Sequence, residues 1–352
     1  MIQVNRIYLI FNRLVTKKFL VDTSESRNMK RRILFIIVII VSIAAIGQNK
    51  VKDTAGGWVK YEKNPILGGS LGTIFDVSVL RNDDGTYAMY NSWRTQKSIA
   101  LSYSENGFDW TSPLICFPFN NETGWEYDVN RPVIVKKDNI YHMWYTGQIG
   151  AGLSEGRSWI GYVVSEDGKL WVRKSDKPVL SPELPWEKVA LMSPHVIWDE
   201  EEQIFKMWYC GGEQIEPNAI GYATSLDGVN WKKYEKNPIF QGNEQNEWEQ
   251  NRVGGCMVIK RKNDYLMFYI GYKDMYYAQI GMARSKDGIT NWERYEHNPI
   301  IFPGEGWDMH ATYKPYPILD IENNRWILYY NGRRYDQEQM GIAVHEGLDL
   351  GF

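Results

Sequence analysis

The phrase Ser-x-Asp/Asn-Gly-x-x-Trp stands four times in this chain. It occupies Ser104–Trp110, Ser165–Trp171, Ser225–Trp231 and, with one inserted residue, Ser285–Trp292, so that its tryptophans lie 61, 60 and 61 residues apart. A period of this size marks one supersecondary unit used repeatedly, because a single unit cannot bury its own apolar face and must stack on copies of itself. Upstream of each phrase come two runs of Val, Ile, Tyr, Trp and Phe, for instance Pro132–Val135 with Tyr141–Thr146, and His195–Trp198 with Phe205–Cys210. Polar turns such as Asn82-Asp83-Asp84-Gly85 join them, the pattern of hairpin strands. A third run precedes the Asp-Gly and a fourth follows the Trp. Asp-Gly suits a tight hairpin because Gly accepts positive φ at no steric cost. The predicted unit is a four-stranded antiparallel meander, and the predicted fold is all-β: a five-bladed β-propeller of such blades.

Five pairs of first and second strands can be counted: Asp76–Asn91, Asn130–Thr146, Ser193–Cys210, Gly254–Ile270 and Lys314–Asn331. The ends of the series are complementary. Trp58-Val-Lys-Tyr-Glu-Lys-Asn-Pro-Ile66 nearly copies Trp231–Ile239, yet no blade precedes it, while Met340–His345 matches a third strand with no fourth after it. The N-terminal strand is therefore expected to complete the last blade, which closes the ring and removes exposed sheet edges. On this scheme the Ser-x-Asp-Gly-x-x-Trp copies are turn and packing devices.

The ends and the composition narrow the setting. Met29-Lys-Arg-Arg, the apolar stretch Ile33–Val41 and the small residues Ala45 and Gly47 describe a secretory signal peptide over 29–47, too short for a comfortable membrane span. Residues 1–28 are an upstream extension, 48–352 a single propeller domain, and the expected product is exported, to the periplasm or beyond, with no stable membrane anchor after cleavage. A formal net charge of −3 offers no basic field to nucleic acid. Three cysteines, Cys116, Cys210 and Cys256, are no disulfide framework. No His or Cys spacing matches a zinc site, and neither a phosphate loop nor a Gly-x-Ser-x-Gly elbow is present.

In a propeller the innermost strand of every blade starts at one rim of a central funnel. Aligning the blades on Met89, Met143, Met207, Met267 and Leu328 puts these starts at Asp76, Asn130-Arg131, Ser193 with His195, Gly254-Gly255 and Lys314. Asp128, Glu249, Arg252 and His310 lie just before them, and Arg333 follows the last second strand. Burying a charge is costly unless it is paired, so charged residues at core-facing strand starts are the candidate site. Asp76, between Phe75 and Val77, is the sharpest of them.

With five blades, an acid on the first strand, and Tyr-x-x-Asn-Pro-Ile and Ser-x-Asp-Gly-x-x-Trp repeats, the chain resembles the five-bladed β-propeller glycoside hydrolases, among them the arabinofuranosidase/xylosidase, levansucrase/invertase and mannoside phosphorylase families. The resemblance covers residues 55–350. It implies an Asp in blade one as base or nucleophile, an Asp in blade two that orients, and a Glu in blade three as acid. Only Asp76 matches cleanly. Asp128 falls two positions early, and Met192-Ser193-Pro194-His195 carries no carboxylate, which turns attention to Glu249 or, through a related family that uses His, to His310 or His195.

The expected function is hydrolysis of a terminal sugar of an oligo- or polysaccharide. Asp76, Glu249 and His310 form the expected catalytic set, and Asp128, Asn130, Arg131, Ser193, His195, Arg252, Lys314 and Arg333 the substrate-binding one. Two acid/base groups flanking the bond are the chemical requirement. Elimination on a uronic-acid-containing sugar is the alternative, since Arg131, Arg252, Lys314 or Arg333 would neutralise the substrate carboxylate. Phosphorolysis and a non-catalytic glycan-binding propeller follow. No cofactor is required, although carboxylates, His310 and carbonyls in the funnel could hold a divalent cation.

Overall fold

The computed structural model describes residues 53–149, 156–213 and 217–352, within a compact unit Lys52–Phe352. The expected upstream extension, 1–28, and signal peptide, 29–47, lie outside the described residues. The described part is all-β, with only single-turn 3₁₀ segments besides. None of its helices is long and apolar enough to cross a membrane.

The strands form antiparallel meanders in chain order. After β1 (Trp58–Lys60) the first meander is β2 (Ile74–Arg81), β3 (Tyr87–Trp93), β4 (Ser98–Ser104) and β5 (Leu114–Phe117). The second is β6 (Asp128–Lys137), β7 (Ile140–Gln148), β8 (Ser158–Ser165) and β9 (Val172–Arg173). The third is β10 (Ala190–Asp199), β11 (Ile204–Gly212), β12 (Pro217–Ser225) and β13 (Lys232–Lys233), with β14 (Phe240–Gln241) also on β12. The fourth is β15 (Arg252–Lys260), β16 (Tyr265–Tyr272), β17 (Ala278–Ser285) and β18 (Glu293–Arg294). The fifth is β19 (Ala311–Asp320), β20 (Arg325–Arg334) and β21 (Gln337–Glu346). Its outer strand is β1, which pairs antiparallel with β21 in the register Trp58↔His345. The first strands β2, β6, β10, β15 and β19 touch one another in that order, and β19 touches β2, a propeller-like arrangement.

The repeated phrases have specific mechanical work. In each Ser-x-Asp/Asn-Gly turn the Ser hydroxyl accepts the Gly N–H at 2.8–3.2 Å, and the Asp or Asn side chain accepts the next two N–H groups. Gly107, Gly168, Gly228 and Gly288 all have φ between 71° and 78°, which L side chains avoid. The turn presents the Gly carbonyl to the meander before it. Tyr90 donates to Gly168, Trp144 to Gly228, Trp208 to Gly288 and Tyr329 to Gly107, each at 2.8 Å. The last of these joins the fifth meander to the first.

In the Asn-Pro-Ile phrase, the Asn amide clamps a third strand. Asn64, Asn237 and Asn298 each donate to and accept from one backbone residue, Ile342, Tyr222 and Met282 respectively. The orphan phrase near Trp58 therefore makes the same joint on the last meander that its copies make on the third and fourth.

A second repeated device was not foreseen. Trp125-Glu126, Trp186-Glu187, Trp248-Glu249 and Trp307-Asp308 precede β6, β10, β15 and β19. Each indole lies over a pair of strand glycines, for example Gly271 and Gly281 under Trp248, where a Cβ would come within 2.2 and 2.4 Å of the ring. Each acid is buried and accepts from a second-strand tyrosine: Tyr145, Tyr209, Tyr269 or Tyr330. Each also pairs with a base on the outer strand: Arg173, Lys233, Arg294 or Lys60. The acids are buried, and each is met by both a base and a hydroxyl donor, the condition under which such a charge is tolerated.

Candidate active site

Each first strand carries a β-bulge, and at each bulge one residue takes positive φ: Asp76 (46°), Arg131 (55°), Ser193 (51°), Gly255 (44°) and Lys314 (52°). Four of these are not glycine. Strain of order 1–3 kcal/mol at one residue persists only where the surroundings over-determine it. Part of that determination is visible. The second-strand residue of the preceding meander accepts the bulge N–H: Ser92 from Arg131 at 2.8 Å, Thr146 from Ser193 at 3.0 Å, Cys210 from Gly255 at 2.9 Å and Asn331 from Asp76 at 3.1 Å. The buried Cys210 sulfur is thus an acceptor. The fifth equivalent, Ile270, has no acceptor to offer, and its Cδ1 would lie 2.3 Å from a Cβ on Gly255.

This equivalence places the sequence candidates. Among the five bulge positions Asp76 alone is a carboxylate; the second position is Arg131, not Asp128. Asp76 is 3% exposed. Its Oδ2 meets Arg131 Nε at 3.1 Å, and its Oδ1 accepts from Asn331 Nδ2 at 2.8 Å. Arg131 Nη1 donates to Asn130 Oδ1 at 2.6 Å and to Gln148 at 3.2 Å, and Asn130 Nδ2 donates to Asp128 Oδ1 at 2.8 Å. An ion pair and two hydrogen bonds therefore connect Asp76 to Asp128. Asp128 is 1% exposed, and its Oδ2 is buried with no partner. A buried unmet carboxyl oxygen is costly and marks a place where a ligand group would be satisfied.

Beside this chain lies a group the sequence reading missed. Arg94 stacks on Phe75 at 4.2 Å, with Arg131 at 5.7 Å from the same ring. Arg94 donates to Glu338 Oε2 at 3.2 and 3.3 Å, and the Tyr313 hydroxyl donates to Glu338 Oε1. Burial, with Glu338 and Asp76 nearby, pushes the Tyr313 hydroxyl well above its ordinary range, so it stays protonated as a donor. Burial works against the Arg94 charge, but Glu338, Tyr313 and Asp128 outweigh it and raise the guanidinium. Glu338 stands on a third strand, outside the first-strand starts that were searched. The available signal was its position just after the Arg333-Arg334 hairpin.

Three expected site residues are placed differently. Glu249, the expected general acid, is the fourth-meander copy of the Trp-acid device. It is fully buried, its Oε1 taken by Arg294 at 2.6 Å and Asn246 at 2.7 Å, its Oε2 by Tyr269 at 3.0 Å, so it has no oxygen for a substrate. His195 is buried between β10 and β15, with Nε2 donating to Val258 O at 2.8 Å. Burial, with Lys314 nearby, lowers its pKa to about 4 against the opposing Val258 bond. It ties two strands and stays neutral. His310 accepts the Tyr335 N–H at Nδ1, at 2.9 Å. A neutral ring then carries its proton on Nε2, which suits a hydrogen-bond donor more than a group that surrenders a proton.

The remaining candidates are spread around the rim. Ser193 is buried at its bulge. Arg252 donates to Asn251 at 2.6 Å. Arg333 donates to the Tyr276 carbonyl, its backbone accepts from His310, and its charge acts on Tyr313. Lys314 is 6% exposed and is felt by His195, Cys210 and Cys256, yet its ammonium makes no hydrogen bond or ion pair among the described residues. No group of three or more His, Cys, Asp or Glu among the described residues is placed to hold a metal ion.

The comparisons agree with this architecture. The family model for the glycosyl hydrolases family 32 N-terminal domain matches residues 119–298. A curated relative, 1,2-beta-oligomannan phosphorylase of Thermoanaerobacter sp. (strain X514), is 28% identical over 236 residues, 65% of this chain and 72% of the relative. The crystal structure of a thermostable family-43 glycoside hydrolase superposes with a TM-score of 0.61 at 18% identity, over 79% of this chain and 91% of that protein. A structure from the GH130 family of mannoside phosphorylases, which contains glycoside hydrolases that target beta-1,2 mannosidic linkages in Candida mannan, gives 0.63 at 14% identity, over 83% and 96%.

Proposed function

The chain belongs to the family of the glycosyl hydrolases family 32 N-terminal domain, a carbohydrate-active enzyme fold, and on that premise we propose that it is an exported glycoside hydrolase which removes the terminal sugar of an oligo- or polysaccharide, built as a closed five-bladed β-propeller. The observation that carries the reading is the ion pair and two hydrogen bonds that join two buried carboxyls, Asp76 and Asp128, through Arg131 and Asn130. Two such groups on either side of a glycosidic bond are what its hydrolysis needs.

Asp76 is met only by donors, the arrangement of a carboxylate that accepts. It serves as base toward water or as nucleophile toward the anomeric carbon. Asp128, whose Oδ2 has no partner, supplies the proton to the leaving oxygen. Glu338, oriented by Arg94 and Tyr313, and the His310 Nε2–H bind sugar hydroxyls. Binding energy spent at such hydroxyls holds the reacting bond between the two acids.

A second reading follows from Lys314. An unpaired buried ammonium at the bulge position equivalent to those of Asp76 and Arg131 suits an anionic group. A uronate carboxylate there would favour elimination, with its enolate-like transition state stabilised by the same charge. A phosphate would favour phosphorolysis, the activity named for the Thermoanaerobacter relative.

Mass spectrometry of products from neutral and uronic-acid oligosaccharides, with and without phosphate, separates these readings. Monosaccharide gained with one water, absent in Asp76→Asn, is the expected outcome. An unsaturated product or a sugar phosphate would overturn hydrolysis. For Asp128→Asn the expected signature is strong loss on natural oligosaccharides and little loss on aryl glycosides, whose leaving groups need no proton. Equal loss on both would remove Asp128 from the acid role.

A further inference from the structure

A cavity of about 870 Å³ lies beside the fourth meander, away from Asp76, between the Trp248 loop, the β16–β17 hairpin and the strand β17. Its size is in the range of pockets that enclose a small organic ligand. We propose that it is a second carbohydrate site, one that holds a neutral oligosaccharide.

The wall is organised for hydroxyl groups. Gln279 is 7% exposed, lines the cavity, and its side-chain amide has no hydrogen-bond partner among the described residues. A side-chain amide offers two donors and an acceptor to a ligand's hydroxyl groups. The comparison with the fifth meander is direct. There the equivalent residue, Gln339, is covered by the Gly68–Gly69 loop, which comes so close that a Cβ on Gly68 would lie 2.8 Å from Gln339 Cγ. Gln279 and Gln339 are buried alike, at 7% and 8% exposure, but in the fourth meander the residue borders the cavity.

The hairpin opposite is rigid. Asp274 accepts the N–H groups of Tyr276 and Tyr277 at 2.8 Å, and Lys273 N donates to Tyr277 O at 3.0 Å. It presents the half-buried Tyr277 to the cavity, an amphipathic ring of the kind that packs against an apolar face and keeps a polar tip. The charges leave the wall net negative. Lys273 is paired with Glu247 and Arg294 with Glu249, while Asp274 and Glu296 add negative charge. No cation is left over for a phosphate or uronate, in contrast to Lys314. The same hairpin meets Arg333 through the Tyr276 carbonyl, so the cavity and the charged cluster share a wall.

Isothermal titration of β-1,2-mannotetraose and α-1,5-arabinotetraose into the Asp76→Asn protein tests this without turnover. The expected result is two binding events for at least one sugar. Gln279→Leu and, independently, Tyr277→Ala should weaken one event by about tenfold or more and leave the other unchanged. Tyr277→Ala alters a hairpin side chain and keeps the assay informative if Gln279→Leu fails to fold. Unchanged titrations in Tyr277→Ala, or a parent protein that shows no second event with either sugar, would overturn the proposal. Because the readout is binding, a failure of the hydrolase reading leaves this outcome intact.

Discussion

The pairing of Lys60 with Asp308 joins the first described strand to the last meander, and its loss can be estimated. Lys60 Nζ lies 2.7 Å from Asp308 Oδ2, donates to Phe302 O at 2.7 Å, and is 3.3 Å from Asp53. Asp308 is 2% exposed. In Lys60→Met its carboxylate would keep only the Tyr330 hydroxyl, at 3.3 Å. Breaking a buried pair by removing one partner costs about 3–5 kcal/mol. With an unfolding entropy of about 2.1 cal/mol/K per residue over roughly 300 residues, about 0.6 kcal/mol/K in all, this corresponds to a fall in Tm of about 5–8 °C. Differential scanning calorimetry of the purified Lys60→Met protein measures it, with the exposed Lys63→Met as control. Combining Lys60→Met with Asp308→Asn should recover part of the loss, because no lone charge then remains buried. A fall below about 2 °C, or strict additivity of the two substitutions, would refute the reasoning that this ion pair seats β1 on β21.

Three further outcomes are expected. Glu249→Gln should lower stability by about 1.5–3 kcal/mol through the lost Arg294 and Asn246 bonds while kcat at about 20 °C below Tm stays near that of the parent; a selective loss of kcat would return Glu249 to the catalytic set. Asn331→Ala, which frees both the Asp76 N–H and its Oδ1, should reduce kcat by about 10–100-fold with little change in KM, and an equal effect on both in steady-state kinetics would assign it a binding role. His195 is neutral when folded and charges when unfolded, its pKa lowered to about 4 by burial and Lys314; its stabilisation is whole above the unfolded value near 6.5 and is lost as pH falls toward 4, on the order of 3 kcal/mol. Urea unfolding at about pH 7 and pH 4.5 should show that dependence shrinking in His195→Gln, and an unchanged dependence would count against it.

The repeat made the meanders legible because the devices that hold them are short-range. A Ser-Asp-Gly turn closes within four residues, and an Asn-Pro clamp reaches one neighbouring strand, so both leave a fixed spelling. The candidate site was legible in part for the same reason: Asp76, Arg131, Ser193 and Lys314 occupy equivalent strand starts. What sequence could not separate was a buried acid with free oxygens from a buried acid already satisfied. Asp128 opens a first strand and Glu249 precedes one, yet Glu249 meets Arg294, some 45 positions on, and Asp128 meets only Asn130. Glu338 and Arg94 were missed because their partnership crosses from the fifth meander to the first, a separation that no local pattern records.

The five bulges have one more consequence. Four of them are held by a backbone N–H bonded to the neighbouring meander, a bond that does not involve the side chain at the bulge. An acid, a guanidinium, a hydroxyl, a bare hydrogen and an ammonium sit in the same conformation. Exchange of one for another therefore alters what faces the centre while the scaffold stands. The exception is Gly255, where a larger group would have to displace the Ile270 Cδ1 methyl. Such a molecule resembles a lock with interchangeable pins: four of its five settings can drift between related chains, and new chemistry can arise by single replacements that folding scarcely notices.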